Sequence, residues 1–335
     1  MAQKSSPSPK ASIKAVAERA GVSIATVSRV MNSVSNKASQ DTIERVRQAA
    51  KDLGYRPIGA GGALRRGKSR LVAVLASNLS NPSMTAVAAA AEVALRNAGY
   101  VMVLCDTHDD PKLQDEYLLE MKAQYACGLI LLGAVTSPVL RDFVAAGEPL
   151  VFVSRRNPFG NGRYVGIDNA VAGNEVARWF AKQKLTSVAL IHGSPASSAT
   201  ADRIAGFKSG LAANGISLPD HRVSGSATLS HLQLGYDGIE RIMRDGGRPD
   251  GLFCTSDLIA YGAHRWLTEQ NIDVNAISIV GFDDSPMNQW LAPWLHTVRV
   301  PYANYGNAIV RVLINQNDES IILNHQLVVQ TASHS

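Results

Sequence analysis

After residue 70, short apolar runs rich in β-branched residues alternate with segments of helical periodicity. Continuous apolar strands separated by helices indicate parallel sheets that are covered on both faces by the connecting helices. The predicted strands are 71–75, 101–105, 128–132, 150–153, 187–191, 251–254 and 278–281. The predicted helices are 83–97, 115–124, 171–182, 201–214, 234–244 and 259–269.

This many strand–helix units suit two Rossmann-like subdomains better than one. Ligands bind such sheets at the carboxyl ends of the strands, so two facing sheets leave a cleft between them. We expect the segment after Thr297 to cross back to the first subdomain. A chain of 335 residues also leaves room for a further small domain before this α/β body.

The charges are divided unevenly along the chain. Residues 1–70 hold 14 Lys and Arg against 4 Asp and Glu, whereas the remainder holds 19 against 24. A basic head on an acidic body is typical of a nucleic-acid-binding module joined to a domain with another task.

The start of the chain and its cysteines bear on location. Residues 1–11 are polar and lack the apolar segment of a secretory signal, so we interpret them as a disordered tail. No apolar run approaches the roughly 18–20 residues of a membrane span. The widely spaced Cys105, Cys127 and Cys254 indicate reduced thiols rather than disulfides or a metal site. We therefore expect a cytoplasmic protein with no membrane contact.

The basic head has the pattern of a helix-turn-helix. Apolar residues recur at helical spacing in a first helix, Gly21 is placed to end it, and Ser23 is placed to cap a second helix of about residues 24–32. A third helix, capped by Ser39 and ended by Gly54, completes a unit about as small as can fold alone.

In such a unit the second helix enters the major groove, with its N-terminal residues against base edges. Arg29 can make a bidentate contact to guanine, and Ile24 and Ala25 can contact a thymine methyl group. The hydroxyl side chains predicted to contact phosphates are Ser23, Thr26 and Ser28.

The run IKAVAERAGVSIATVSRVMN, followed by LGYRP, closely resembles the headpiece of the LacI/GalR family of bacterial regulators over residues 12–57. Residues 71–330 resemble the periplasmic-binding-protein-like effector domain of the same family. The resemblance implies a sequence-specific transcriptional repressor that binds a palindromic operator in double-stranded DNA. It also implies a homodimer whose operator affinity is controlled by a small-molecule effector.

Residues 58–70 would be the hinge between the two domains. In the family a hinge helix forms on the operator, and by position Leu64 would be the residue wedged into the minor groove. Gly59, Gly61 and Gly62 of this segment oppose a helix, since each costs about 0.8–1 kcal/mol relative to alanine. They do not form a dinucleotide-binding motif, because Leu64 stands where the third glycine belongs.

The resemblance also indicates the effector contacts. Asp257 matches the aspartate of a family motif and Arg203 matches an arginine that reaches the ligand, while Ser83 and Met84 occupy positions that face it. The alternatives are a helix N-cap for Asp257 and a surface ion pair, for example with Asp202, for Arg203. These side chains suit a carbohydrate-like effector: a sugar, polyol or sugar acid.

Other polar clusters have simpler interpretations. We interpret the following as loop-ordering residues rather than metal ligands or effector contacts: Asp106, His108, Asp109, Asp110, Asp168, Asn169, Asp283 and Asp284. The sequence contains no G-x-S-x-G, phosphate-binding loop or H-E-x-x-H, so we expect neither an enzyme nor a cofactor. The alternative function is a solute-binding or sugar-processing protein with an incidental helical head.

Overall fold

The computed structural model describes residues 12–31, 38–55, 69–315 and 319–330. The chain divides into two compact units, Met1–Ser69 and Arg70–Ser335. Leu64 and most of the predicted hinge and tail lie outside the described residues, so those predictions stay predictions.

The first unit contains the three predicted helices: α1 Ile13–Ala20, α2 Ile24–Met31 and α3 Gln40–Asp52. The Ser12 hydroxyl caps α1 by accepting from the Ala15 N–H at 3.2 Å. Gly21 ends α1 in the left-handed conformation, with φ of 64°, which a side chain would oppose. Ser39 caps α3 as predicted.

These helices share a small apolar core. Val16, Val27 and Val46, one from each helix, are fully buried. The Arg45 guanidinium also donates to the Ala20 carbonyl at 3.2 Å, which ties α3 to the end of α1.

The second unit begins with a subdomain built on a six-stranded sheet of order β11-β5-β4-β3-β1-β2, in which every pair is parallel. Its strands are β1 Leu71–Ala76, β2 Val101–Asp106, β3 Gly128–Leu132, β4 Leu150–Val153, β5 Tyr164–Ile167 and β11 Ile321–Leu323. Its helices are α4 Pro82–Asn97, α5 Pro111–Ala123, α6 Pro138–Ala145 and α12 Tyr302–Leu313.

The second subdomain has its own six-stranded sheet of order β12-β10-β9-β8-β6-β7, parallel except for β12, which runs antiparallel to β10. Its strands are β6 Val188–His192, β7 Val223–Gly225, β8 Gly251–Cys254, β9 Ser278–Asp283, β10 His296–Arg299 and β12 Gln326–Val328. Its helices are α7 Asn169–Lys182, α8 Ser198–Ala213, α9 His231–Gly246, α10 Asp257–Glu269 and α11 Asn288–Leu291.

The predicted fold class, a helical headpiece with two parallel-sheet subdomains, is confirmed. All seven predicted strands and six predicted helices of the body are present, with ends shifted by up to four residues. The prediction missed β5, β7, β10, β11 and β12. These strands have three or four residues each, too few to establish a periodic pattern.

The chain crosses between the subdomains three times: from β5 to α7, from β10 to α12, and from β11 to β12. The predicted return to the first subdomain after Thr297 is therefore correct for α12 and β11. It is incomplete, because β12 goes back to the second sheet.

No helix in the described parts of the chain is long and apolar enough to cross a membrane.

Candidate functional site

A cavity of about 100 Å³ lies in the cleft between the two subdomains. It is lined from both sides by residues that follow the carboxyl ends of the strands or begin the helices after them. This is the edge at which doubly wound sheets bind ligands. Ser83, Met84 and Arg203, three of the four predicted effector contacts, line it.

Arg203 projects from α8 and is fixed on three sides. Its Nε donates to the Asn169 Oδ1 at 2.8 Å and its Nη1 donates to the Thr255 carbonyl at 2.8 Å. Its guanidinium lies 3.5 Å from the centroid of the Phe282 ring. Burial lowers the pKa of Arg203, and the charge of Asp283 opposes that shift. The alternative pairing with Asp202 does not occur.

Asp202 instead pairs with Arg156, which follows β4 in the first subdomain. The pair is bidentate, with the Arg156 Nη2 at 3.0 Å from the Asp202 Oδ1. The backbone N–H of Arg156 also donates to the Ser198 hydroxyl at 2.9 Å. These contacts join the two subdomains at one end of the cleft.

Asp257 is not among the residues that line the cleft. It is 1% exposed, and its carboxylate accepts from the Thr297 hydroxyl at 2.7 Å, the Ser285 N–H at 2.8 Å and the Asn288 amide at 2.9 Å. It is not the helix N-cap either, since Ser256 caps α10. Every hydrogen bond of this carboxylate lies within its own subdomain, and the effector contact of Asp257 stays a prediction.

The acid that faces the cleft is Asp283, at the end of β9. Burial raises its pKa to about 6, and the charge of Arg203 and a hydrogen bond from Ser83 oppose that shift. The buried Asp257 behind it has a pKa raised to about 7, through burial and then the charge of Asp283. The loop role expected for Asp283 is therefore incomplete, because two acids in a row after a strand do not show which side chain faces a cavity.

Ser83 and Met84 begin α4 on the opposite wall. Ser83 hydrogen-bonds Asp283 across the cleft, and the Ser77 hydroxyl lies 3.6 Å from the Met84 sulfur. Tyr302, at the start of α12, completes this side. Its hydroxyl is buried without a well-aligned hydrogen bond to any described residue, and burial raises its pKa.

His231 and Arg155 are further lining residues that the sequence did not indicate. The His231 Nδ1 lies 3.2 Å from the Ser256 hydroxyl, and the pKa of His231 is lowered by burial and then by the charges of Arg155 and Arg203. The Arg155 guanidinium binds Asp109 in a bidentate pair at 2.6 and 2.9 Å.

The remaining acidic residues have structural roles. Asp106 accepts from backbone N–H groups of Leu79 and His108. Asp110 and Asp168 cap α5 and α7. Within the described residues no group of three or more His, Cys, Asp or Glu side chains could hold a metal ion. Asn169 was interpreted as a loop residue, but it also holds Arg203 and lines the cleft.

In the first unit, the outer face of α2 carries most of the predicted DNA contacts. Ile24 is 49% exposed, and Ala25 and Arg29 are also exposed. The Ser23 hydroxyl lies 2.9 Å from that of Thr26 and accepts its N–H. Ser28 is only 7% exposed, and its phosphate contact stays a prediction.

Comparisons with known proteins agree with this architecture. Residues 12–57 match the family model described as bacterial regulatory proteins, lacI family, and residues 177–333 match a periplasmic binding protein-like domain. The HTH-type transcriptional regulator RegA of Clostridium saccharobutylicum is 28% identical, over 95% of this chain and 97% of its own length. The ribose operon repressor of Escherichia coli strain K12 is 26% identical, over 91% and 93%.

Solved structures give the same result. A LacI-family transcriptional regulator from Silicibacter pomeroyi superimposes with a TM-score of 0.83 at 26% identity, covering 95% of this chain and 98% of that one. The lac repressor dimer bound to operator shares the fold, with a TM-score of 0.80 at 23% identity over 95% and 97% of the two chains.

A helix-turn-helix unit followed by a two-lobed domain with a polar cleft defines a DNA-binding transcriptional regulator. The chain belongs to the lacI family of bacterial regulatory proteins. The relatives named here are regulators rather than enzymes.

Proposed function

We propose that this protein is a repressor that binds a palindromic operator as a homodimer, in the cytoplasm, and that a carbohydrate-like effector in the cleft controls its operator affinity. The observation that carries the proposal is the cleft itself. It collects hydroxyl, amide and a few charged side chains from both subdomains around a small cavity, downstream of a helix-turn-helix. Such a cavity suits a compact polyhydroxylated ligand.

Operator recognition is assigned to α2. Its exposed Ile24, Ala25 and Arg29 would face base edges, and Ser23 and Thr26 would face phosphates. Leu64 is proposed as the minor-groove wedge on family resemblance alone.

The homodimer is supported by exposed apolar side chains of the second unit. Val101 on the edge strand β2 is 57% exposed, with Leu104 beside it on that strand. Trp290 and Leu291 on α11 are 75% and 65% exposed. Exposed apolar surface of this kind marks protein contacts. A second copy of this chain is the expected partner, because an operator with two-fold symmetry is bound by a symmetric dimer.

The effector class is supported by relatives. Several of them, including that of Escherichia coli strain K12, are named ribose operon repressors. Ser83, Met84 and Arg203 are the predicted contacts that we keep as proposals, and Asp283 replaces Asp257 as the acid that accepts hydroxyl donors.

The effector can control operator affinity through thermodynamic linkage between the two binding sites. An effector that contacts both walls binds a closed arrangement of the subdomains more tightly than an open one, and so shifts that equilibrium. If operator affinity differs between the two arrangements, effector and operator change each other's affinity by the same factor.

The test is binding of the full-length protein to a palindromic DNA library at fixed salt, with Arg29→Ala beside the wild type. Salt is fixed because phosphate contacts dominate affinity. We expect one selected palindrome, and Arg29→Ala should lose discrimination at one base pair per half-site, about 1–3 kcal/mol.

The matched control is Arg47→Ala, which removes an exposed charge from α3. It should weaken binding to all sequences without changing the selected one. Weak, unselective binding that Arg29→Ala leaves unchanged would refute the repressor function and favour a solute-binding protein.

A further inference from the structure

The charged side chains that line the cleft are unequal in sign. Arg155 and Arg203 face it, against the single acid Asp283. Asp109, which neutralises Arg155, lies outside the lining and is held by both of its oxygens. A ligand in the cavity therefore meets two guanidinium groups and one carboxyl group.

Both arginines line the same small cavity as His231, the first residue of α9. The His231 Nδ1 lies 3.2 Å from the Ser256 hydroxyl. The charges of Arg155 and Arg203 lower the pKa of His231, and that of Asp109 opposes the shift. The guanidinium groups therefore place their positive field, reduced at Arg155 by Asp109, on the cavity that His231 borders.

Helix N-termini add to this field. The helices α4, α8, α9 and α10 all begin at the cleft, and each N-terminus carries a partial positive charge. Side chains cap the first turns of α4, α8 and α10, but Ser230 makes no such bond at α9. The uncapped N-terminus is the one that begins with His231.

Arg203 is pre-positioned for one further acceptor. Its Nε and Nη1 are used by Asn169 and Thr255, whereas its Nη2 makes no hydrogen bond to a described residue. A guanidinium fixed in this way pays little ordering entropy when it binds a carboxylate.

We propose that the effector carries a carboxylate beside its hydroxyl groups, that is, a sugar acid or related hydroxy acid. Its carboxylate lies at the His231 end, within reach of Arg203, Arg155 and the start of α9, and its hydroxyls donate to Asp283. The inference rests on the proposed function, because it takes the cleft as the effector site. It makes His231 a specificity-determining residue.

A neutral sugar is the competing ligand. It would place a hydroxyl oxygen, which is a weaker acceptor than a carboxylate, at the Arg203 Nη2. The two ligand classes therefore differ in a single group, which matched compounds isolate.

The experiment is calorimetric titration and thermal-shift screening of the full-length protein with matched pairs. The pairs are D-gluconate with D-glucitol, D-galactonate with D-galactitol, and D-galacturonate with D-galactose, with D-glucose 6-phosphate as the phosphate probe. We expect at least one acid to bind about 100-fold or more tightly than its neutral partner, and its affinity to fall as salt rises.

Two variants localise the carboxylate. Arg203→Gln should reduce the acid's affinity at least 30-fold and that of a neutral sugar much less. Arg155→Met is combined with Asp109→Asn, so that no carboxylate is left unpaired, and should produce a smaller loss in the same direction. Selective operator binding, measured on the same preparations, checks that each variant is folded.

Neutral partners that bind as tightly as the acids would overturn the inference, as would a panel in which no acid stabilises the protein. Binding by the phosphate probe alone would also overturn it, in favour of a sugar phosphate. In each of these cases operator selection still succeeds. Failure of operator selection with wild-type protein refutes the proposed function instead.

Discussion

Replacing Asp257 by asparagine and by alanine separates a buried structural carboxylate from an effector contact. Asparagine is nearly isosteric and keeps an acceptor for the Ser285 N–H and the Asn288 amide. Its amide N–H can donate to the Thr297 hydroxyl, which now donates to Asp257 at 2.7 Å. Alanine removes the acceptor of all three donors. The Thr297 hydroxyl can rotate to another acceptor, whereas the Ser285 N–H and the Asn288 amide are fixed, and each buried donor left without an acceptor costs about 1–3 kcal/mol.

The pKa of Asp257 determines whether Asp257→Asn raises or lowers the free energy of unfolding. The pKa of Asp257 is raised from an ordinary 3.8 to about 7 in the folded state, so the native protein binds the proton more tightly than the unfolded chain does. Each pKa unit corresponds to about 1.4 kcal/mol, so ionisation of this group opposes folding as pH rises from 4 to 7. Because Asp283 shares that cost, we expect roughly half of it, about 2 kcal/mol, to disappear in Asp257→Asn at pH 8.

The assay is urea unfolding of wild type, Asp257→Asn and Asp257→Ala at pH 8 and at pH 5. We expect Asp257→Asn to be more stable than wild type at pH 8, with a smaller difference at pH 5, and to retain effector binding. Asp257→Ala should lose about 2–4 kcal/mol at both pH values. If Asp257→Asn instead abolishes effector binding without changing the free energy of unfolding, Asp257 contacts the effector and the sequence-based prediction is right.

Two further predictions concern the cleft. Binding of a sugar acid beside Asp283 should favour the protonated form of the Asp283 carboxyl, whose pKa is already raised to about 6. The affinity for the sugar acid should therefore rise as pH falls from 8 to 6, whereas the affinity for a neutral sugar that donates to the carboxylate should fall in the same titrations. Replacing Arg156 by methionine breaks the pair with Asp202 that joins the subdomains. It should weaken effector binding several-fold with little change in stability, since partly exposed pairs contribute about 1 kcal/mol or less. Arg248→Met, which changes an exposed arginine of the second subdomain outside the cleft, is the matched control, and an equal loss in both variants would count against a role of the Arg156–Asp202 pair in effector binding.

The headpiece could be predicted from sequence because its ends depend on neighbouring residues. Gly21, Ser23 and Ser39 each act within four positions of the helix they bound. The choice between Asp257 and Asp283 could not be made in this way. The Asp257 carboxylate accepts a hydrogen bond from Thr297, forty residues later in the same subdomain. This contact forms only after β9 and β10 are paired.

The same limit applies to the cleft. His231 and Arg155 do not belong to a local sequence motif. They come together only because the two sheets face each other across the cleft. Residue periodicity predicts that a cleft exists and which elements border it, because the ends of the strands can be recognised in the sequence. It does not predict the sign of the charge inside, because that depends on which acids are turned away or paired behind the lining, as Asp109 is.

The close approach of α7 and α8 connects the effector site to the crossover between subdomains. A Cβ added to Gly206 on α8 would overlap the carbonyl oxygen of Ala170, and one added to Gly173 on α7 would overlap that of Arg203. The backbones of the two helices are therefore in direct contact, and α7 begins immediately after β5, the strand from which the chain crosses. A ligand that displaces α8 through Arg203 would therefore press on α7, and with it on this crossover.

Gly206→Ala tests that connection. Alanine gains about 1 kcal/mol of helix propensity, but pushing two backbones apart costs more than the roughly 1–3 kcal/mol of ordinary overpacking, because no side chain can rotate away. We expect a net loss of about 2 kcal/mol in urea unfolding and an effector response of operator binding that is reduced more than effector affinity itself. Ala205→Ser, on the exposed face of the same helix, should change neither quantity. A Gly206→Ala protein with wild-type stability and an undiminished response would show that the helices move independently, and that the effector acts through another crossover.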